Sequence, residues 1–330
     1  MRLPKITDDR QWANADWPEI PWLNSAKSKA KKSTKTAAVS ALKKVYYSQW
    51  LRNKVKDKLF ISQKVEKLAD DTYRITTDFV FQSFLFVGKK SALLVDTGVG
   101  LGDLKSEVAK LTDKPLTVAC THAHFDATGG AGQFENVKIS KSDKESAKVY
   151  NFISRHLLKH TGKIGKDVIN KPNFVALTSS EIEKGFDLGG RTVKVILAPS
   201  HTRGSLCFID EENKLAIVGD VISPLGFQLF PFALPLNEYV ATLEKLLPKL
   251  EDKKIYCSYF PKAFDYAYAS DLKTTYFLGQ ATGNDTNYKK QLRFRKSNDK
   301  KLILLSYASK ANRRERKTRM DAFKRGDYKL

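Results

Sequence analysis

Apolar positions in the middle of this chain fall into short runs separated by polar turns, with helical periodicity between them. Leu68, Tyr73 and Ile75, then Phe79 to Val87, then Ala92 to Val95, read as successive strands parted by Asp70-Asp71 and Gly88-Lys89 turns. Leu101 to Leu111 reads as a helix, and Leu116 to Cys120 as a strand. Asp143 to Lys159 predicts a longer helix; Phe174 to Thr178 and Val193 to Ala198 predict further strands. Leu206 to Ile209 and Leu215 to Val218 form a hairpin across Asp210-Glu211-Glu212-Asn213. A helix over Leu236 to Leu250 follows, with Leu243, Leu246, Leu247 and Leu250 on one face. Lys254 to Ser258 is a last strand and Asp271 to Gln280 a last helix. The pattern predicts a mixed α/β body over residues 65–288.

The flanks follow other rules. In residues 1–26, Trp12, Trp17 and Trp22 recur among Pro4, Pro18 and Pro21 at a spacing that suits neither a helix face nor a strand face. That segment reads as irregular chain anchored by its tryptophans. Lys27 to Lys35 reads as a solvated linker, and from Thr36 the positions Val39, Leu42, Val45, Tyr46, Trp50 and Leu51 form the stripe of a basic amphipathic helix. Its bland reading is a helix docked on its own domain. At the other end Leu302 to Leu305 is an apolar island in a basic region, and Asn312 to Arg325 predicts a basic helix.

Charge sharpens this division. The net charge is +22. Residues 27–64 carry 12 basic and 1 acidic side chains, and residues 289–330 carry 16 and 4, whereas 65–288 are neutral. The excess sits in two appendages on a neutral body, so a polyanion (nucleic acid or an anionic surface) is a candidate partner for the arms. The expected division is an extension over 1–64, a body over 65–288 and a tail over 289–330. Apolar content of 42% and charged content of 28% indicate a globular protein with a sizeable core. Cys120, Cys207 and Cys257 cannot make a disulfide framework. The start lacks the apolar stretch of a signal peptide, and the longest apolar run, Val221 to Leu236, is broken by three prolines. A cytoplasmic location is the expectation, and the oligomeric state is left open.

Candidate chemistry concentrates in Thr121-His122-Ala123-His124-Phe125-Asp126. Two histidines and an aspartate where a strand opens into a loop present imidazoles and a carboxylate together, which is metal chemistry. Three more signals stand at predicted strand ends: Asp96 in Leu94-Val95-Asp96-Thr97-Gly98, His201 in Pro199-Ser200-His201-Thr202-Arg203-Gly204-Ser205, and Asp220 in Val218-Gly219-Asp220. His156 and His160, at helical i, i+4 spacing, have no third partner nearby and read as a solvated face. No nucleotide-binding or serine-nucleophile motif is present, and Cys207 has no activating neighbour.

In order and wording these four motifs resemble the metallo-β-lactamase superfamily, over roughly residues 65–280. The resemblance implies an αββα sandwich, an α/β fold of two facing sheets with helices outside and metals at the loop edge. It implies that His122, His124 and His201 hold a first metal. Asp220 would bridge it to a second metal or ligate the first alone. Asp126 would serve the second metal or act as a base, and Asp96 would accept a hydrogen bond that orients a ligand histidine. Zinc suits such a set, and a metal-activated water is the family's nucleophile.

Two positions depart from the family pattern. Ala127 follows the motif aspartate where the family has a histidine, and Ile255-Tyr256-Cys257-Ser258-Tyr259-Phe260-Pro261-Lys262 lacks the late histidine. The chain has five histidines, none after His201. Both losses fall on the second metal, so one zinc is expected rather than two. Cys257 and Lys262 are candidates to fill the vacated position. The expected activity is hydrolysis of a small ester, thioester or lactone with Asp126 as base. Two alternatives stand beside it. One is an iron-dependent sulfur dioxygenase using His122, His201 and Asp220. The other is a catalytically impaired protein that binds polyanions through its arms. Phe227, Phe230 and Phe232, after Asp220, read as a substrate wall or as a lid packed on the body.

Overall fold

The structure is a computed structural model, and it describes residues 63–77, 81–159, 170–223, 225–227, 234, 236–259, 263–267, 269–270, 293–296 and 303–306. The tryptophan segment, the basic amphipathic helix, the helices expected over Asp271 to Gln280 and Asn312 to Arg325, and the residues His160 and Lys262 lie outside that set.

Seven strands form one sheet in simple chain order: β1 (Gln63–Ala69), β2 (Thr72–Thr77), β3 (Phe81–Val87), β4 (Ala92–Val95), β5 (Leu116–Ala119), β6 (Asn136–Ile139) and β7 (Asn173–Ala176). The first three pairings, from β1 to β4, are antiparallel, whereas β4 to β7 run parallel. The switch occurs where helices enter the chain: α1 (Leu104–Ala109) joins β4 to β5, α2 (Phe125–Thr128) follows β5, and α3 (Lys144–Lys159) joins β6 to β7. A parallel pair needs such a crossover. After α4 (Ser179–Lys184) come β8 (Phe186–Asp187), β9 (Thr192–Leu197), β10 (Leu206–Asp210) and β11 (Leu215–Gly219). With β13 (Lys254–Cys257) they make a second sheet in the order β13-β11-β10-β9-β8. Between β11 and β13 lie β12 (Leu225–Phe227) and α5 (Leu236–Leu246).

Alternation of side chains explains why the central strands are apolar throughout. In β3 and β4, Phe84, Phe86, Leu93 and Val95 enter the core between the sheets, while Leu85, Val87, Ala92 and Leu94 enter the core under the helices. In the second sheet, Leu206, Phe208, Leu215, Ile217 and Tyr256 face inward, and Cys207, Ile209, Ala216, Val218, Ile255 and Cys257 pack with Tyr239, Leu243 and Leu246 of α5. Three apolar layers between four structural layers constitute the αββα sandwich, and strands covered on both faces carry no polar stripe. The expected Leu236 to Leu250 helix is α-helical only to Leu246; a 3₁₀ turn containing Pro248 completes it, because proline offers no amide to the helical ladder.

The apolar island found in the basic C-terminal region lies at β15 (Ile303–Ser306), which pairs antiparallel with β14 (Arg293–Lys296) and parallel with β12. Backbone pairing thus brings part of that region to the segment that follows Asp220.

One polar pin holds the two sheets together. Arg191, in the turn between β8 and β9, is buried; its guanidinium meets the Asp210 carboxylate at 2.5 Å and donates to Thr72 Oγ1 and to the carbonyls of Asp71 (3.0 Å) and Val87 (3.3 Å). Removing one member of a buried pair strands the other charge. Arg191→Met is therefore expected to lower unfolding stability by about 3–5 kcal/mol in urea denaturation. The added substitution Asp210→Leu should recover part of that loss.

Candidate metal centre

Strand ends from both sheets meet at one edge of the sandwich. β4 ends at Asp96, β5 runs into His122 and His124, β9 leads to His201, β11 ends before Asp220, and β13 leads to Ser258. Backbone bonds fix this edge: across the sheets Leu206 N donates to Thr121 O (2.7 Å) and Gln82 N to Ser258 O (2.9 Å), and within the second sheet Ser258 N donates to Gly219 O (3.3 Å). Gly219 has φ +54°, and a Cβ there would lie 2.6 Å from Thr121 Oγ1, so both its conformation and its contact require glycine.

The side chains expected to act together are together. The three histidine rings are mutually near-perpendicular, with centroids 5.0 Å apart for His122–His124 and His122–His201 and 4.6 Å for His124–His201. Donor nitrogens of His122, His124 and His201 lie within 4.8 Å of one another, and so do donor atoms of His122, Asp126 and Asp220. His124 Nδ1 and His201 Nε2 are 2.7 Å apart, His122 Nε2 is 3.4 Å from Asp126 Oδ1, and His201 Nε2 is 3.5 Å from Asp220 Oδ2. Tetrahedral ligands about 2.0–2.1 Å from a zinc ion stand roughly 3.4 Å from each other. Asp220 Oδ1 is buried without a hydrogen bond among the described residues. An unsatisfied buried carboxylate oxygen beside converging imidazoles fits a cation.

Electrostatics give the same result. Burial opposes a charge on His122, but Asp126, Asp220 and Asp96 outweigh it and raise its pKa to about 10. His124, buried and beside His201 and His122, is held well below the usual histidine value. Burial, with Asp126 nearby, pushes Asp220 well above the usual carboxylate range. Burial acts on Asp126 in the same sense, but His122 overcomes it and the net direction is down. The carboxylates thus demand positive charge that a proton on His122 supplies in the metal-free chain, and a divalent ion would meet the same demand.

Asp96 acts at one remove. It is wholly buried with φ +63°, and burial raises its pKa to about 6 against the pull of His122 and Thr121. Its carboxylate accepts from Thr121 N (2.7 Å) and Thr121 Oγ1 (2.8 Å); Thr121 Oγ1 lies 3.0 Å from His122 Nδ1. The hydroxyl has one proton and gives it to the carboxylate, so it accepts from His122 Nδ1–H. That leaves the Nε2 lone pair for a metal. Thr121 was not singled out in the sequence, although a hydroxyl beside a motif histidine is a readable signal. Ser258 was also missed: its Oγ is 3.3 Å from Asp96 Oδ2.

Ala127 is buried, and its carbonyl accepts from Thr97 N, Thr97 Oγ1 and Cys120 Sγ, so the position is packed backbone. Cys257 belongs to the core beneath α5, not to the metal edge. Lys262 is not among the described residues, and the side chains of His156 and of Phe227, Phe230 and Phe232 are likewise undescribed.

Residues 77–258, more than half of the 330, match the metallo-beta-lactamase superfamily. The chain is 28% identical over 208 residues to the acyl-coenzyme A thioesterase MBLAC2 of Homo sapiens, covering 55% of this chain and 72% of that protein. It is 26% identical over 173 residues to the hydroxyacylglutathione hydrolase GloC of Haemophilus influenzae, covering 51% and 77%. A metallo-beta-lactamase from Pontibacter korlensis superposes with a TM-score of 0.48 at 18% identity, over 66% of this chain and 99% of that one.

The relay from Asp96 through Thr121 generates a test. Thr121→Val keeps the shape and removes the hydroxyl, so zinc affinity, read by competition with a chromophoric chelator, should fall about 10-fold or more.

Proposed function

The chain belongs to the metallo-beta-lactamase superfamily, and from that premise we propose that it is a one-metal hydrolase of thioesters. His122, His124 and His201 with Asp220 would hold the ion, and zinc suits three imidazoles and a carboxylate. The observation that carries the reading is the convergence of these donors at a buried edge whose second imidazole positions are filled by Ala127 and by a histidine-free β13 end. Both relatives named above are, by their names, hydrolases of acyl thioesters, which supports that substrate class over an ester or lactone.

A divalent ion bound there supplies Lewis acidity and a water that is nucleophilic near neutral pH. The chain's own residues do the rest. Asp126, 3.4 Å from His122 Nε2, holds a carboxylate oxygen at the rim of the donor set, where it accepts a proton from the attacking water. The new C–O bond forms as the C–S bond breaks, and the proton passes to the departing thiolate. The Nδ1 side of His122 is engaged by Thr121, itself bonded to Asp96, so Nε2 is the nitrogen that would face the ion.

Purified protein is expected to contain one zinc per chain. His122→Ala should lower kcat/KM on an acyl thioester about 100-fold or more, and Asp126→Asn should lower kcat more than it raises KM. Iron in place of zinc, with oxygen uptake on a persulfide substrate, would favour the dioxygenase reading. Absence of zinc, iron and manganese after gentle purification would overturn the hydrolase.

Charge placement favours a second property alongside: residues 27–64 and 289–330 together carry +23, which the slightly acidic 1–26 reduces to the net +22, and they suit a polyanion. No helix among the described residues is long and apolar enough to cross a membrane. Replacing Arg313, Arg314, Arg316 and Arg319 by Gln should weaken binding to heparin and flatten its salt dependence. Unchanged binding would mean that this tail is only a solvated face.

A further inference from the structure

The imidazoles of the metal centre arrive on two loops that are far apart in the chain. His122 and His124 follow β5, and His201 follows β9 in the other sheet. Their spacing therefore depends on what ties loop to loop. His124 Nδ1 and His201 Nε2 are 2.7 Å apart, a hydrogen-bonding distance, so the two loops bring these rings into contact in the metal-free chain.

Asp143 touches both loops and neither histidine. It stands just before α3 and is buried. Its Oδ2 accepts from Ala123 N (3.0 Å), the amide between His122 and His124. The same oxygen accepts from Thr202 Oγ1 (2.6 Å), on the residue after His201. Its Oδ1 accepts from Gly204 N (2.9 Å). Thr202 is braced in turn, since its N donates to Ser205 Oγ at 2.9 Å and its hydroxyl lies 2.9 Å from the same oxygen. A Cβ on Gly204 would lie 2.6 Å from Asp143 Cγ, so only glycine lets that amide come so close.

An aspartate before a helix ordinarily spends its carboxylate on the helix's own free amides. Here Asp143 enters α3 through its backbone carbonyl, which accepts from Ala147 N at 2.8 Å, while three donors from the two histidine loops share the side chain. Burial raises the pKa of Asp143 above the usual carboxylate value and costs free energy; Thr202, His122, Gly204 and Ala123 offset only part of that rise. A helix cap alone does not call for that arrangement.

We propose that Asp143 is a positioning residue of the metal centre: by clamping the His122–His124 loop to the His201 loop it keeps the three imidazoles at metal-binding separation. The inference rests on the reading of these residues as a metal site. An amide in place of the carboxylate cannot serve all three donors, because its nitrogen would face an N–H or a hydroxyl.

The test uses the full chain carrying Asp143→Asn or Thr202→Val, with zinc affinity by chelator competition, the visible spectrum of the cobalt(II) form, and the unfolding midpoint of the metal-free protein. Asp143→Asn is expected to weaken zinc binding about 10-fold or more. It should also alter the cobalt spectrum, because the imidazoles no longer hold their angles. Thr202→Val, which removes one of the three bonds, should shift both readouts in the same direction by less. If the midpoint falls while zinc affinity and the cobalt spectrum stay as in the wild type, Asp143 is a structural residue only and the proposal is overturned. Should Asp143→Asn not fold, Thr202→Val decides by the same two readouts. A wild-type chain that takes up neither zinc nor cobalt would overturn the metal reading itself, a result distinct from equal binding by wild type and variants.

Discussion

Three imidazoles and two carboxylates are kept out of water within a few ångströms of one another, and much of the molecule serves to make that tolerable. Isolated polar groups of this kind would each cost folding free energy on burial. The sandwich supplies backbone and hydroxyl donors to the buried carboxylates that flank them. Asp96 is satisfied by Thr121, and Asp143 by Ala123, Thr202 and Gly204; the Thr121 and Leu206 backbones join the sheets alongside. Asp220 Oδ1 is buried without a hydrogen bond among the described residues, and it belongs to the donor set that could hold a cation.

Two buried charge systems divide the labour. At the β8–β9 turn, Arg191 and Asp210 neutralise each other, and Arg191 also donates to backbone carbonyls, so that cluster is balanced in charge within the fold. At the metal edge, acceptors outnumber positive charges, and His122 is pulled toward its protonated form despite its burial. One cluster is a fastening and the other is a socket, although both are built from ordinary side chains at strand ends. The difference lies in whether the fold supplies the counter-charge itself.

On the proposed one-metal reading, the family's paired-metal arrangement survives here in part. Ala127 contributes only a carbonyl, tied up by Thr97 and Cys120, and Ser258 places a hydroxyl against Asp96. Neither can replace an imidazole as a ligand. The carboxylates Asp126 and Asp220 remain, which fits a site in which one serves the ion and the other the attacking water.

Much of this was legible in the sequence. Short apolar runs between polar turns marked β3, β4, β10 and β11 as strands, and the four motifs at strand ends named His122, His124, Asp126, His201, Asp220 and Asp96. Short β6 and β8 and the turn of α4 were not seen, because a few residues carry too little periodicity to stand out. Roles that depend on contacts between distant loops were invisible as well. Nothing local distinguishes Asp143 from an ordinary helix-opening aspartate, or Thr121 from any hydroxyl beside a histidine. Sequence alone determined which chemical groups the chain owns and on which strand ends they stand. Tertiary structure decided which of them share a buried edge, which accept hydrogen bonds and which are left for a cation, because those outcomes depend on distances set by two sheets closing on one core.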